Sequence, residues 1–344
     1  MSLIDIRSMT IEELELLMKD YSEPAFRAKQ VFSWLQSGVS SFQEMTNISK
    51  QLREKLAADC YIANVSIAKK LISKIDGTVK YLYRLYDGEY IESVLMSYEH
   101  GYTVCISTQV GCRMGCKFCA SGINGLVRSL TASEMLAQIR MAEIDNGIRV
   151  SNVVMMGMGE PLDNFDNSVR FLRLVSHKDG MNIGLRHISL STSGVVSGIE
   201  KLAKENMPIT LSISLHAPFN EARSKIMPVN RKWNIEQLIS ACKSYQSVTG
   251  RRISFEYAMI SGVNDSKKYA DELIKILRGI MCHVNLIPAN PVVENNFVRS
   301  DDKSVRTFCE YLNKNGINTT VRRTLGADIN ASCGQLRNQS REEE

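Results

Sequence analysis

The 344-residue sequence lacks the long apolar stretches of membrane and exported proteins. No stretch approaches the ~18–20 uninterrupted apolar residues that a membrane-spanning helix needs. The first twenty residues carry acidic side chains early and contain no apolar core of signal-peptide length. We therefore expect the chain to stay in the cytoplasm and to have no membrane partner. Low-complexity segments are also missing before the polar end at residues 338–344, which we expect to fray.

Net charge of either sign is small as well. The 42 Lys and Arg residues against 37 Asp and Glu residues leave a charge of +5, which is too small to name a partner. Residues 1–100 have a net charge of −2 and residues 101–344 of +7, so the second segment would supply most of the attraction to a polyanion. The apolar share of 44% and the charged share of 23% exclude a disordered or fibrous chain.

The nine cysteines make a poor disulfide framework, because their number is odd and thiols stay reduced in the cytoplasm. Four of the nine lie between Cys105 and Cys119. Clustered cysteines in a reducing compartment point to metal binding or catalysis. The four that lie in apolar helix or strand patterns are expected to be small core side chains, namely Cys60, Cys242, Cys282 and Cys309.

Three patterns follow one another along the chain. Residues 10–58 show helical spacing and begin with the N-cap pattern Thr10-Ile-Glu-Glu. Residues 64–97 consist of short β-like runs separated by turn residues. From residue 102 onward, apolar runs alternate with helical patterns. The predicted parts are a helical accessory domain, a β-rich connector, a βα domain and a polar tail, at residues 1–62, 63–100, 101–337 and 338–344.

The alternation predicts an α/β fold with βα units around a parallel sheet. The predicted strands are Thr103–Ser107, Asn152–Met156, His187–Ser191, Ile209–Leu215, Ile253–Ile260, His283–Ile287 and Asn318–Val321. The predicted helices are Ala132–Glu143, Asn167–Val175, Val196–Lys204, Ile235–Tyr245, Lys267–Leu277 and Asp302–Asn313. At least six units in about 220 residues suit a partial (βα)6-type barrel, somewhat short of a full eight-unit barrel.

The strongest motif is the C-x3-C-x2-C run of Cys112, Cys116 and Cys119. It follows the first predicted barrel strand, at the carboxyl end where such folds place their active sites. Zinc sites usually close their coordination with four protein ligands, whereas three cysteines on a [4Fe–4S] cluster leave one iron open to a small molecule. A zinc knuckle that borrows a distant ligand is the alternative for these three thiols.

Polar or glycine-rich segments follow several other predicted strands. Gly159 and Glu160 belong to a Gly-rich turn that presents backbone groups and one carboxylate. Further candidates at strand ends are Ser191, Ser214, Leu215, His216 and Asn290, the last of which precedes Pro291. In isolation His216 could be a satisfied core histidine and Asn290 a turn residue before proline. Their shared location at the carboxyl ends of strands favours a common site.

The cysteine run, with Phe118 before its last cysteine, resembles that of radical S-adenosylmethionine (SAM) enzymes. The run from Thr320 to Leu336, which contains Cys333, further resembles the dual-specificity ribosomal and transfer RNA adenine methyltransferases of this class, the RlmN family. The segments 213–218, 223–231 and 262–265 resemble the same family, and the likeness extends from about residue 10 to residue 337. It implies a [4Fe–4S] cluster on the three cysteines, two SAM molecules per turnover, and a glycine–glutamate segment that holds the methionyl amino group.

The resemblance also implies the roles of three further residues. Cys333 is expected to be methylated by one SAM and to pass this carbon to the adenine as a radical formed with the second SAM. Cys105 is implied in resolving the covalent adduct, through a transient disulfide with Cys333, and Glu92 as the proton acceptor. From spacing alone, Cys105 would be a buried strand thiol and Glu92 a solvated residue.

The implied reaction is methylation of carbon 2 of an adenosine in 23S rRNA near the peptidyl transferase centre, and of the adenosine next to the anticodon in some tRNAs. The target base must leave its stack to reach the site. The implied partners are these RNAs and an electron donor such as flavodoxin or ferredoxin, with the enzyme as a monomer. The basic pairs at 231–232, 251–252 and 322–323 would usually be solvated surface but could contact RNA phosphates.

Two other functions remain open at this point. One is methylation of carbon 8 by the antibiotic-resistance (Cfr-like) branch, which shares the cluster, both reactive cysteines and the mechanism. Pro161 and the stretch from Arg322 to Gly326 favour the carbon-2 enzymes. The other is a non-catalytic, metal-bound RNA-binding protein with structural zinc.

Overall fold

The computed structural model describes residues 3–290 and 297–336. Pro291 and the predicted fraying tail at 338–344 lie outside the described residues. No helix in the described part is long and apolar enough to cross a membrane.

The N-terminal part is helical, as the pattern over 10–58 predicts. Its elements are β1 (Ile4–Asp5), α1 (Ile11–Asp20), α2 (Phe26–Ser37), α3 (Lys50–Asp59) and β2 (Cys60–Tyr61). Thr10 begins α1 with a capping box, because its side chain accepts from the Glu13 N–H while the Glu13 carboxylate accepts from the Thr10 N–H. The apolar sides of the three helices pack into the main core of the molecule through residues such as Leu14, Phe32 and Leu56.

The segment after these helices extends the main sheet. It forms the antiparallel strands β3 (Ser66–Ile72), β4 (Val79–Arg84) and β5 (Tyr90–Tyr98). Strand β5 then pairs antiparallel with the first barrel strand, β6 (Gly101–Cys105). The strands of the connector are therefore hydrogen-bonded into the same sheet as the barrel strands.

A short hairpin that the sequence pattern did not predict follows β6. Its strands are β7 (Gln109–Gly111) and β8 (Leu126–Ser129), and the loop between them contains the three clustered cysteines. The remaining strands are β9 (Val150–Met155), β10 (Ile188–Thr192), β11 (Thr210–Ser214), β12 (Ile253–Met259), β13 (Cys282–Pro288) and β14 (Thr319–Val321). The remaining helices are α4 (Ala132–Asn146), α5 (Phe165–Val175), α6 (Val196–Glu205), α7 (Asn220–Ile226), α8 (Ile235–Thr249), α9 (Lys267–Leu277) and α10 (Asp302–Lys314).

The ten-stranded sheet has the order β14-β13-β12-β11-β10-β9-β6-β5-β4-β3. The seven strands β6 and β9–β14 pair in parallel, so their carboxyl ends share one edge. Strand β12 is buried along its whole length, as expected when helices cover one face of a parallel sheet and the barrel interior the other. The predicted partial barrel with a helical N-terminal domain is confirmed, as are its seven strands and six helices to within a few residues.

Candidate active site

A cavity opens at the carboxyl ends of the parallel strands. It encloses about 1100 Å³, including open solvent at its mouth. Ten of the side chains and glycines predicted from the sequence line it: Cys112, Cys116, Cys119, Gly159, Glu160, Ser191, Ser214, His216, Asn290 and Cys333. Residues from both ends of the barrel domain, more than 200 positions apart, therefore meet in one space.

The cysteine loop is held at its base and along its length by backbone hydrogen bonds. The Cys112 N–H donates to the Gly125 carbonyl at 2.8 Å, across the β7–β8 hairpin, and the Cys119 N–H donates to the Cys116 carbonyl at 3.1 Å. Gly115 has φ +66°, a conformation that favours glycine, so the chain can turn between the first two cysteines. The loop thereby directs all three cysteines toward the cavity.

The chemistry of these three thiols fits an iron–sulfur cluster. Burial raises the pKa of Cys112 to about 12 and that of Cys116 well above its usual value, so neither thiol is readily ionised without a nearby positive charge. Over residues 3–290 and 297–336, no three Cys, His, Asp or Glu side chains lie close enough together to hold a single metal ion. A cluster binds each cysteine at a different iron, so it does not require the three sulfurs to meet at one point.

The glycine–glutamate segment after β9 is built around close backbone contacts. A Cβ on Gly159, where φ is +104°, would lie 2.6 Å from the Gln109 Cβ, so only glycine fits there. The Glu160 carboxylate accepts from the Leu162 N–H at 3.0 Å and from the Ser193 N–H at 2.7 Å. Burial raises the pKa of Glu160 against these hydrogen bonds. The carboxylate thus joins the end of β9 to the end of β10 beside the cavity.

His216 lies at the end of β11 in a left-handed conformation, with φ +56°. Its Nδ1 accepts from the Ala258 N–H at 2.9 Å, which leaves the proton of the neutral ring on Nε2. The ring packs edge-on against Phe118, with 4.7 Å between ring centroids. Burial lowers the pKa of His216 to about 3, so the ring is neutral at ordinary pH. His216 is therefore a buried, hydrogen-bonded histidine that also lines the cavity.

Leu215 does not line the cavity in the way its neighbours do. Its side chain is fully buried in the main core. Its backbone N–H donates to the Glu256 carbonyl at 3.1 Å, and its carbonyl accepts from the Arg223 Nε at 3.0 Å. Leu215 therefore contributes backbone and packing at this edge rather than a side chain facing the cavity.

Arg223 is a fully buried cation behind the cavity, and sequence reasoning assigned it no role. Its guanidinium donates to the carbonyls of Leu215, Ser193 and Ser214, at 3.0, 2.7 and 3.0 Å. It also donates to the Asn230 side chain at 3.0 Å. One side chain therefore clamps the carboxyl ends of β10 and β11, which carry Ser191 and Ser214.

Cys333 is solvent-exposed at the cavity, on a loop that docks against the cysteine loop. The Ala120 N–H donates to the Gly334 carbonyl at 2.8 Å, and the Ser121 hydroxyl donates to the Leu336 carbonyl at 2.6 Å. The Asn290 side-chain amide donates to the Cys333 carbonyl at 3.0 Å. Asn290 thus positions Cys333 as well as lining the cavity.

Cys105 and Glu92 do not line the cavity. Cys105 ends β6. Burial raises the pKa of its thiol to about 12, the charge of an ionised Cys333 adds to this rise, and the positive charge of Arg322 opposes it. Glu92 is buried on β5 rather than solvated as its spacing suggested, and its carboxylate lies 2.7 Å from the Lys80 ammonium.

Two charged residues that sequence reasoning did not assign to the site face the cavity. Glu256 is buried on β12; its Oε1 accepts from Ser254 at 2.9 Å and from Asn285 at 3.1 Å, but its Oε2 has no hydrogen-bond partner among the described residues. Arg322 lies 3.8 Å from that oxygen, so the expectation that it is solvated surface is wrong. A lone carboxylate in an apolar strand was the available signal for Glu256.

Two family models match the chain. The Radical SAM superfamily model matches residues 106–274, and the model of the ribosomal RNA large subunit methyltransferase N-terminal domain matches residues 4–62. The first match contains the cysteine loop and most of the barrel, and the second coincides with the helical N-terminal part.

Similar proteins extend the match to nearly the whole chain. A probable dual-specificity RNA methyltransferase RlmN from Alkaliphilus oremlandii is 54% identical over 98% of each chain. Another, from Clostridium novyi, is 52% identical over 97% of each chain. The crystal structure of a radical SAM methyltransferase from Sphaerobacter thermophilus is 43% identical, with a TM-score of 0.92 over 97% of this chain and 99% of that one.

Proposed function

The chain belongs to the RlmN family of radical SAM RNA methyltransferases, and on that premise we propose that it methylates carbon 2 of an adenine in 23S rRNA and in a subset of tRNAs. The observation that carries this proposal is the single cavity that contains the cysteine loop, Glu160 and Cys333. A radical SAM site alone would need only the cysteine loop and Glu160, whereas Cys333, a fourth cysteine separate from the loop, provides a residue that can carry a methyl group.

The enzyme uses SAM and a [4Fe–4S] cluster, which together supply a radical that abstracts hydrogen once both are bound. Cys112, Cys116 and Cys119 would hold the cluster. Gly159 and Glu160 would bind the methionyl amino group, because the Glu160 carboxylate is already fixed by two backbone N–H groups. The polar groups of Ser191, Ser214 and His216 line the same cavity and would contact the rest of SAM.

Carbon 2 of adenine is electron-poor, so it offers no nucleophile to a polar methyl transfer. We propose that Cys333 solves this by carrying the methyl group, which requires two SAM molecules per turnover. Its exposure at the cavity suits a residue that must meet both SAM and an RNA base. Cys105, a buried thiol whose pKa is raised further by the charge of Cys333, would resolve the adduct by a disulfide with Cys333. Glu92 would accept the proton that the adenine loses from carbon 2.

The partners that we propose are rRNA, tRNA and a flavodoxin- or ferredoxin-type electron donor, for a monomeric enzyme in the cytoplasm. RNA attraction would come mainly from residues 101–344, which have a net charge of +7. Exposed basic residues such as Arg231 and Lys232 are available for phosphate contacts, whereas Arg322 faces the cavity.

The proposal is tested with anaerobically purified protein and with cells that lack the gene. Cys116→Ala should lose iron, sulfide and visible absorbance, whereas Cys333→Ala should keep the cluster and transfer no methyl group. Cys309→Ala is the matched control and should retain both, because Cys309 packs against the core away from the cavity. Intact mass spectrometry should find a methyl group on Cys333.

Mass spectrometry of rRNA from the deletion strain distinguishes the other functions. Loss of 2-methyladenosine supports the proposal, whereas loss of 8-methyladenosine would assign the enzyme to the carbon-8 branch. Methyl transfer by Cys333→Ala would refute the role of Cys333. A colourless wild-type protein that binds zinc and does not cleave SAM would favour the non-catalytic RNA-binding protein.

A further inference from the structure

Lys80 joins two parts of the proposed catalytic machinery. It lies on β4 and is only 4% exposed. Its ammonium is 2.7 Å from a carboxylate oxygen of Glu92 on β5 and donates to the Asn330 carbonyl at 3.1 Å. Asn330 is three residues before Cys333, so a single cation contacts both the proposed proton acceptor and the loop of the methyl carrier.

This pair lies on a covered face of the sheet. In the β4–β5 register Lys80 is opposite Val94 and Leu82 is opposite Glu92, so both charged side chains project from the same face. Both are buried, with 5% and 2% of their side chains exposed. Removing two charges from water offsets much of their mutual attraction, so a buried pair of this kind contributes little net stability over an apolar pair. The buried pair is better explained by its effect on the positions of the Lys80 ammonium and the Glu92 carboxylate.

The hairpin of β3 and β4 also holds the Cys333 loop at other points. The Gly326 N–H donates to an Asp76 carboxylate oxygen at 2.8 Å, and the Ser73 hydroxyl donates to the Asp328 carboxylate at 2.7 Å. The connector is thus the surface on which residues 326–333 dock. Among these docking contacts, Lys80 is the one that also reaches Glu92.

We propose that Lys80 is a positioning residue that sets the Glu92 carboxylate and the Cys333 loop in a fixed relation to each other. Its ammonium holds the Glu92 carboxylate at 2.7 Å, and its hydrogen bond to Asn330 fixes the chain three residues before the thiol. This inference rests on the proposed function, since it takes Glu92 as the proton acceptor and Cys333 as the methyl carrier. Lys80 acts through these two residues and need not touch the base.

The test compares Lys80→Met, which removes the ammonium but keeps most of the stem, with Glu92→Gln and the double variant. Lys80→Met should lower kcat for RNA methylation at least tenfold with KM for RNA within threefold. The covalent protein–RNA adduct should accumulate, because its resolution needs Glu92. In Glu92→Gln, adding Lys80→Met should change the rate by less than threefold, because the lysine then has no carboxylate to act through.

The matched control is Lys70→Met on the neighbouring strand β3. Lys70 is also ion-paired, 2.5 Å from Asp145 on α4, and within the described residues its ammonium bonds to Asp145 rather than to the Cys333 loop, so the wild-type rate is expected. If Lys80→Met does not fold, Lys80→Gln takes its place, because glutamine keeps an N–H donor but has no charge. The expected results for Lys80→Gln are the same as those for Lys80→Met.

A Lys80 variant that methylates RNA at a rate within twofold of wild type would overturn the proposal. So would a double variant whose rate loss is the product of the losses in Lys80→Met and Glu92→Gln. A slow Lys80 variant that accumulates no protein–RNA adduct would overturn it as well. In each of these outcomes the wild-type enzyme still forms 2-methyladenosine, so the proposed function survives. A wild-type enzyme that forms no 2-methyladenosine would overturn both.

Discussion

Replacing Arg223 by methionine tests whether one buried cation holds the strand ends of the site in place. The substitution keeps a long apolar side chain but removes every donor of the guanidinium. The carbonyls of Leu215, Ser193 and Ser214 then lose their partner in a buried environment. Arg223 is fully buried, so water cannot easily replace the lost donors, and the same burial lowers the pKa of Arg223 to about 10.

The expected magnitude follows from the number of groups left without a partner. A buried acceptor that loses its donor costs about 1–3 kcal/mol, so three such carbonyls give a loss of roughly 3 kcal/mol or more in the free energy of unfolding. In a domain of 150–250 residues each kcal/mol lowers the melting temperature by about 2–4 °C. A decrease of at least about 6 °C is therefore expected for Arg223→Met.

Thermal unfolding followed by circular dichroism under anaerobic conditions measures this decrease, with Arg231→Met as the control for an exposed arginine eight residues away. Equilibrium binding of SAM should also weaken at least tenfold, because Ser191 and Ser214 lie on the two strands that Arg223 joins. A melting temperature within about 2 °C of wild type, less than 1 kcal/mol on this scale, would refute the clamp.

Two further substitutions test local features of the cavity. Gly159→Ala should reduce SAM binding at least tenfold and destabilise the fold by about 1–3 kcal/mol more than Gly250→Ala, because both glycines have positive φ but only Gly159 would place its Cβ against Gln109. If both variants have the same melting temperature and the same affinity for SAM, the close approach to Gln109 is not the reason that residue 159 is glycine. His216 has a folded pKa of about 3 against 6.5 unfolded, so its contribution to stability is present above pH 6.5 and is lost as the pH falls from about 6.5 to about 3. The free energy of unfolding should therefore decrease less between pH 7 and pH 4.5 in His216→Asn than in the wild type. The same substitution at exposed His100 should leave this pH dependence unchanged. An equal slope of unfolding free energy against pH in the two variants would contradict the argument.

The elements that could be predicted from the sequence are those whose signal is local. Helix α9 has the predicted bounds Lys267–Leu277 because its apolar spacing and its flanking residues lie within a single window. Likewise, three cysteines within eight residues belong to one local segment, so their shared loop follows from the sequence alone. The short elements α7 and β7 were missed because seven and three residues carry too little periodicity to stand out from a loop.

The residues that could not be predicted depend on contacts between distant parts of the chain. Arg322 follows the edge strand β14, and nothing in its neighbourhood shows that its guanidinium faces Glu256, 66 residues earlier, rather than solvent. Arg223 lies in the short helix α7, and nothing in its neighbourhood shows that its guanidinium contacts the carbonyls of Leu215, Ser193 and Ser214. In both cases carbonyls or a carboxylate from other strands surround the charged side chain, so that Arg223 is fully buried and Arg322 half-buried. Local spacing in the sequence does not show such partners.

Lys80 and Glu92 show why a β pattern alone misplaces charged residues. Alternating polar residues in β4 and β5 indicate a sheet with one solvated face, since an antiparallel sheet commonly packs only one face on the core. Here the loop at residues 326–333 returns over 240 positions later and contacts that face, as the Lys80–Asn330 hydrogen bond shows. Two residues that would be solvated in an isolated hairpin thereby become a buried ion pair. Substituting either one alone would break this buried ion pair and leave a single buried charge, so the loss of stability should exceed that expected for a surface salt bridge.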